Sequence, residues 1–110
     1  CQQPEGYWTR SLLDPEHAPG PETSGTAFFT YGLLWGMNNG FLDKATYQPV
    51  VEKAWKYLTT VALQPDGRVG YVQPIGEKAI PGQVVDANST ANFGVGAFLL
   101  AACEMVRFLN

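Results

Sequence analysis

The chain has 110 residues, of which 45% are hydrophobic and only 15% charged, with seven basic side chains against ten acidic. That length predicts one domain, and an aromatic content of 13% supplies the bulk for a packed core rather than a disordered segment. A formal charge of −3 without any Lys/Arg cluster argues against nucleic acid and against a basic membrane-surface helix as partners.

Residues 1–21 read as extended and looped. Gly6-Tyr7-Trp8-Thr9-Arg10-Ser11-Leu12-Leu13 has the composition of a short strand, and Pro15, Pro19 and Pro21 then forbid a helix. A first helix is expected from about Glu22, capped by Thr23 or Ser24. Ala27, Phe28, Tyr31, Leu34 and Trp35 share one face, but Phe29, Leu33 and Met37 lie off it, so this helix should be enclosed on all sides. Asn38-Asn39-Gly40 ends it.

The second helix is expected from about Ala45 to Leu63, with Tyr47, Val50, Val51, Ala54, Trp55, Leu58, Val61 and Ala62 in one stripe and charged residues opposite. It should be amphipathic and half exposed. Pro65-Asp66-Gly67 predicts a turn, Gly70-Tyr71-Val72-Gln73 a second short strand, and the Pro/Gly-containing stretch that follows a polar loop. A third helix is expected from about Gly94 to Leu109. Cys103 within it reads as a small buried apolar residue.

Two cysteines make no disulfide scaffold, and His17, the only histidine, is too isolated for a zinc cage. Cys1 reads as an arbitrary start within a longer protein rather than as a lipid-bearing residue, because no polar tether separates it from Gly6-Tyr7-Trp8. No signal-peptide pattern follows it. The uncharged run Thr23–Leu42 has the length to span a bilayer, yet its four glycines, three threonines, Ser24 and two asparagines predict a water-soluble buried helix and no membrane partner.

A repeat underlies these elements. Pro4-Glu5-Gly6 before Tyr7 recurs as Pro65-Asp66-Gly67 before Gly70-Tyr71, a shift of 61 from Gly6 to Gly67, and Ala27-Phe28 recurs as Ala97-Phe98, a shift of 70. The second loop is thus nine residues longer than the first. Loop, enclosed helix and amphipathic helix form one unit of a helical array, in which faces are buried only against neighbouring units.

Gly6-Tyr7-Trp8-x-Arg10-Ser11-Leu12-Leu13-Asp14, Glu22-Thr23-Ser24-Gly25-Thr26-Ala27 and Asn38-Asn39-Gly40-x-Leu42-Asp43 resemble the C-terminal part of unsaturated rhamnogalacturonyl hydrolases. This is glycoside hydrolase family 105, allied to the unsaturated glucuronyl hydrolases of family 88. Tyr47-x-Pro49-Val50-Val51-x-Lys53-Ala54-Trp55, Asp66-Gly67, Gln73-Pro74-Ile75-Gly76 and Gly94-Val95-Gly96-Ala97-Phe98-Leu99-Leu100-Ala101 continue the match in order.

The resemblance implies an all-α chain: part of an (α/α)6 six-hairpin toroid, with about three helices and short strands in the loops. It implies hydration of the C4–C5 double bond of an unsaturated uronic acid at the end of a lyase-generated oligosaccharide, with no metal or organic cofactor. The family's acid/base Asp lies upstream of the first motif. No catalytic residue is therefore expected in this chain, which should be inactive by itself. Bacterial cytoplasm and periplasm are both compatible with such a protein.

Five residues are candidates for touching substrate. Trp8 could stack on a sugar ring, although core packing is the plainer role. Arg10 could pair with a substrate carboxylate, against a structural ion pair with Asp14 or Glu22. Glu22, Thr23 and Ser24 stand at the start of an inner helix, which in such a toroid tends to face the cleft. A catalytic pair of Asp14 and Glu22 is disfavoured, since spacing across a Pro-rich loop fixes no separation. Asn88-Ser89-Thr90 reads as a polar loop and helix cap rather than a glycosylation site, and His17 as a solvated loop residue.

The rival to the enzyme reading is a free-standing truncated homologue that binds glycans or assembles with itself. Gly25, Gly32 and Gly36 make a smooth strip on the first helix where another helix could pack, and self-association of the isolated chain is expected.

Overall fold

The computed structural model describes residues 1–110. Its helices are α1 (Thr23–Asn38), α2 (Lys44–Tyr57) and α3 (Asn92–Leu109), and α2 runs directly into a π-helical turn at Leu58–Ala62. α1 begins where Glu22, in extended conformation, accepts hydrogen bonds from the backbone N–H groups of Ser24 and Gly25. The cap is therefore Glu22, not Thr23 or Ser24: a longer carboxylate spans two donors at once. After α1, Gly40 (φ +78) turns the chain back, and Leu42 lies on Gly36 where a Cβ would stand 2.6 Å from Leu42 Cδ1. Asp43 then caps α2, accepting from Thr46 N–H (2.9 Å) and Oγ1–H (2.7 Å). The Thr46 hydroxyl, and after it the Thr46 amide, hold this exposed carboxyl below its ordinary range.

The helices pack through small residues. Ala27 of α1 and Ala97 and Ala101 of α3 join Tyr57, Leu58 and Ala62 in one buried cluster. Alanines at the contact let the two helix axes approach closely. Leu34, Met37, Val51 and Met105 form a second cluster toward the other end. There the buried Glu104 carboxylate, 4% exposed, accepts from Asn38 Nδ2 (2.8 Å) and Arg107 Nη1 (2.7 Å), tying α3 to the end of α1. α3 is long and apolar enough by length and composition to cross a membrane, though Glu104 and its packing against α1 also suit a core helix.

Neither expected strand forms; the one bridge joins Leu63 to Val69. The two segments spend their backbone groups on helix starts and loops instead. Trp8 carbonyl accepts from Glu22 N–H (3.2 Å) and Tyr71 carbonyl from Thr23 N–H (2.7 Å), while Tyr71 N–H donates to Asp86 carbonyl (2.8 Å) and Val72 N–H to Ser89 carbonyl (2.9 Å). The repeat is nonetheless real in three dimensions. Gln3 N–H donates to Tyr7 carbonyl and Gly6 N–H to Gln3 carbonyl; Gln64 N–H donates to Arg68 carbonyl and Gly67 N–H to Gln64 carbonyl. Gly6 (φ +101) and Gly67 (φ +89) sit at the same position of the same turn.

Several expectations fail locally. The second helix leaves α-geometry at Leu58, where Thr59 Oγ1 and Thr60 Oγ1 bond back to Trp55 and Lys56 carbonyls (2.8 and 2.6 Å). Such back-bonding competes with the regular ladder. Cys103 is exposed, because α3 turns Ala97, Ala101 and Met105 inward and Cys103 outward. Ser89 closes a turn with Asp86 rather than capping a helix; Ala91 stands at the start of α3 without a side-chain bond.

α1 is enclosed on one flank only. Phe28, Phe29 and Trp35 are exposed, as are Leu99, Leu100 and Val106 of α3. The glycine strip is partly filled from within the chain: Leu42 covers Gly36 and the Glu22 carboxylate lies by Gly25, so only Gly32 faces open space. We expect the isolated 110-residue chain to self-associate through these apolar faces, with sedimentation showing mass rising with concentration. A monomer at every loading concentration would contradict it.

Buried Tyr57 gives a pH prediction. Its hydroxyl lies 2.7 Å from Thr23 Oγ1, which donates onward to Gly70 carbonyl (2.7 Å). Burial pushes the phenol well above its ordinary range; the Thr23 hydroxyl, able to turn and donate to a phenolate, offsets part, and the Glu22 charge adds to the rise. In the unfolded chain Tyr57 ionises near pH ~10, in the folded protein only above that. Between the two values the unfolded state holds fewer protons, so the stabilisation is complete below pH ~10 and declines as pH rises further. Urea unfolding at pH 9 to 11 should show this fall in the wild type and a shallower one in Tyr57→Phe. Equal slopes would count against the assignment.

Candidate substrate-binding site

The first extended segment and the start of α1 build one wall. Trp8 N–H donates to Thr26 Oγ1 (2.9 Å), Thr26 Oγ1–H donates to Glu22 carbonyl (2.8 Å), and the indole meets the Phe29 ring edge-on at 5.1 Å. The opposite wall is Val72–Gln83. Tyr71, the single non-glycine residue at positive φ (+61), swings the chain so that Gln73 N–H donates to Glu22 Oε2 (2.9 Å). A left-handed tyrosine is costly and persists only where its surroundings hold it, which the bonds to Thr23 and Asp86 do.

Between these walls lies a cavity of about 180 Å³ lined by Trp8, Arg10, Glu22, Gly25, Phe29 and Gln73, among others. A second, polar cavity of about 240 Å³ shares Arg10 and Gln73 with it and is otherwise enclosed by Pro74–Ile80 and Gln83. A wider and more apolar hollow, about 540 Å³, lies against Val72, Ile75, Val84 and Phe93, and none of the five expected residues borders it.

Trp8, Arg10 and Glu22 are thus brought together. Thr23 and Ser24 line neither cavity of the groove: Thr23 is engaged with Tyr57 and Gly70, and Ser24 Oγ–H donates to Glu22 Oε1 (2.6 Å). The Glu22 carboxylate, 2% exposed, receives four bonds, from Ser24 N–H and Oγ–H, Gly25 N–H and Gln73 N–H. Arg10 pairs with neither Asp14 nor Glu22; its partners are Gln83 and the Ile80 carbonyl. Asp14 is exposed and borders neither cavity, so no carboxylate pair is assembled. Sequence reasoning passed over Phe29, Tyr71 and Gln83. Phe29 is off the main stripe of α1, and nothing local in the sequence marks the other two.

The profile of Glycosyl Hydrolase Family 88 matches residues 1–109. The chain belongs to that family. The family 88 chain is 47% identical over 106 residues to an unsaturated 3S-rhamnoglycuronyl hydrolase of Formosa agariphila, covering 96% of this chain and 27% of that protein. It is 78% identical to the solved structure of a glycosyl hydrolase family 88 protein from Bacteroides vulgatus, with a TM-score of 0.93 over 98% of this chain and 31% of the other. It is also 88% identical to a solved chain named as a polysaccharide lyase, with a TM-score of 0.92 over 99% and 31% of the two chains.

The fold is that of the family's six-hairpin toroid, of which these three helices are a segment. The chain spans about a quarter to a third of the relatives it matches.

Proposed function

We propose that this chain is the C-terminal part of a family 88 enzyme that removes unsaturated uronic acid from the ends of lyase-generated oligosaccharides by hydrating the C4–C5 double bond. The observation that carries this reading is the unbroken family match over residues 1–109, with a named hydrolase at 47% identity. The groove suits a sugar: an aromatic wall of Trp8 and Phe29, side-chain amides of Gln73 and Gln83, and one arginine. Of its two carboxylates, Glu22 is committed to four donors of its own chain and Glu77 stands exposed on the polar loop, and the acid/base is assigned, as the family resemblance implies, to residues outside these 110. The isolated chain is accordingly inactive.

The 88%-identical chain named as a lyase favours a second reading, in which the parent makes the double bond rather than consumes it. The two differ in sign. A hydrolase given an unsaturated disaccharide lowers its ultraviolet absorbance; a lyase given a saturated uronide polymer raises it. Running both substrates on the full-length protein decides between them. No change with either, alongside retained glycan binding, would leave the non-catalytic homologue.

A further inference from the structure

Arg10 is a half-buried charge of this groove that has no ion-pair partner. The ion pairs of the protein join Arg68 to Asp66 and Arg107 to Glu104. The Arg10 guanidinium is held by neutral acceptors instead: Nη1 donates to Ile80 carbonyl (3.3 Å) and Gln83 Oε1 (3.0 Å), and Nη2 to Gln83 carbonyl (3.4 Å). A guanidinium carries five N–H donors. Three are used, which leaves Nε–H and one Nη2–H without a partner. Those two donors can grip both oxygens of a carboxylate or sulfate. Because the loop already fixes the planar group, little freedom remains to be lost on binding.

The surroundings agree. Arg10 is half-buried and lines both cavities, with the Trp8–Phe29 wall on one side and the polar loop on the other. Of the charged groups around it, Glu22 is taken up by its four donors, while Glu77 and Lys78 border the polar cavity with opposite signs. The formal charges lining the two cavities thus sum to zero, and what draws an anion is the free donor pair of Arg10, since the Glu22 oxygens are already occupied.

We propose that Arg10, positioned by Gln83 and Ile80, recognises an anionic two-oxygen group on a sugar, a carboxylate or a sulfate ester, bound where the two cavities meet. The sugar rests on the function proposed above; the anion recognition rests on Arg10 alone.

Calorimetric titration of the full-length protein tests this, with glucuronate, its neutral methyl ester and glucose 6-sulfate as probes. The wild type should bind a charged probe about tenfold or more tightly than the ester, and Arg10→Met should bind all three alike. A preference for glucuronate assigns the site to uronates, and one for the sulfate to sulfated sugars. Gln83→Leu keeps the charge but removes one of the three bonds that hold the fork, and should weaken the charged probe several-fold. Should Arg10→Met fail to fold, Gln83→Leu and Arg10→Lys carry the test. Undiminished preference for the charged probe in these variants overturns the proposal. Turnover is read separately by absorbance. Protein without turnover whose charge preference vanishes in Arg10→Met refutes the function and keeps the site; turnover with unaltered preference does the reverse.

Discussion

Replacing Glu22 by alanine is expected to destabilise the protein by about 3 to 4 kcal/mol, because buried donors are left without acceptors. The carboxylate does three jobs. It caps α1 through Ser24 and Gly25, fixes the Ser24 hydroxyl, and ties the Gln73 segment to the helix start. Its removal opens the helix terminus and loosens one wall of the groove together. Glu22→Gln, with one acceptor turned into a donor, should lose about 2 kcal/mol, and Ser24→Ala about 1 kcal/mol. Urea unfolding of the three variants checks the ranking. A Glu22→Ala loss no larger than that of Ser24→Ala would mean that solvent replaces these bonds freely.

Gly6→Ala is the second large effect, expected to cost about 3 kcal/mol or more. Two causes add. The residue sits at φ +101, and a Cβ there would stand 2.1 Å from the Lys53 carbonyl oxygen, backbone against backbone. Relief requires the first segment to lift off α2, breaking the bond from Gln2 Nε2 to the Val50 carbonyl (2.9 Å). Gly67 supplies the internal control. It occupies the equivalent turn at φ +89 but has nothing within 4 Å, so Gly67→Ala should cost only about 1 kcal/mol. Similar losses in the two thermal unfolding curves would show that the turn conformation, not the contact with α2, sets the penalty.

The helices were legible because apolar spacing and capping residues are local signals. Thr23–Asn38 and Asn92–Leu109 lie within about two residues of expectation. What escaped was decided at a distance. Strand-like composition at Gly6–Leu13 and Gly70–Gln73 says that the backbone will be extended, not that its partners are helix termini. Arg10 drew a carboxylate partner in sequence reasoning because charge suggests charge, yet an amide more than seventy residues away holds it. Cys103 looked buried because a helix rich in Leu, Ala and Phe leaves its inward face undetermined. The alanines settle it by packing on α1. Of the candidate site, Trp8, Arg10 and Glu22 were visible as residue types, and their meeting in one cavity depends on Tyr71 turning the second segment over α1.

The duplicated turn has an evolutionary consequence. Gln3–Tyr7 and Gln64–Arg68 carry the same hydrogen bonds, while the connection that follows differs in length by nine residues. Lengthening a surface connection by that amount costs well under 1 kcal/mol in closure entropy. Selection can therefore rewrite Pro74–Gln83, and with it the lining of the polar cavity, while the stacking of hairpins stays untouched. Under the function proposed above, such an array inherits its scaffold and improvises its appetite, and sister proteins should differ in sequence along this loop before they differ anywhere in the helices.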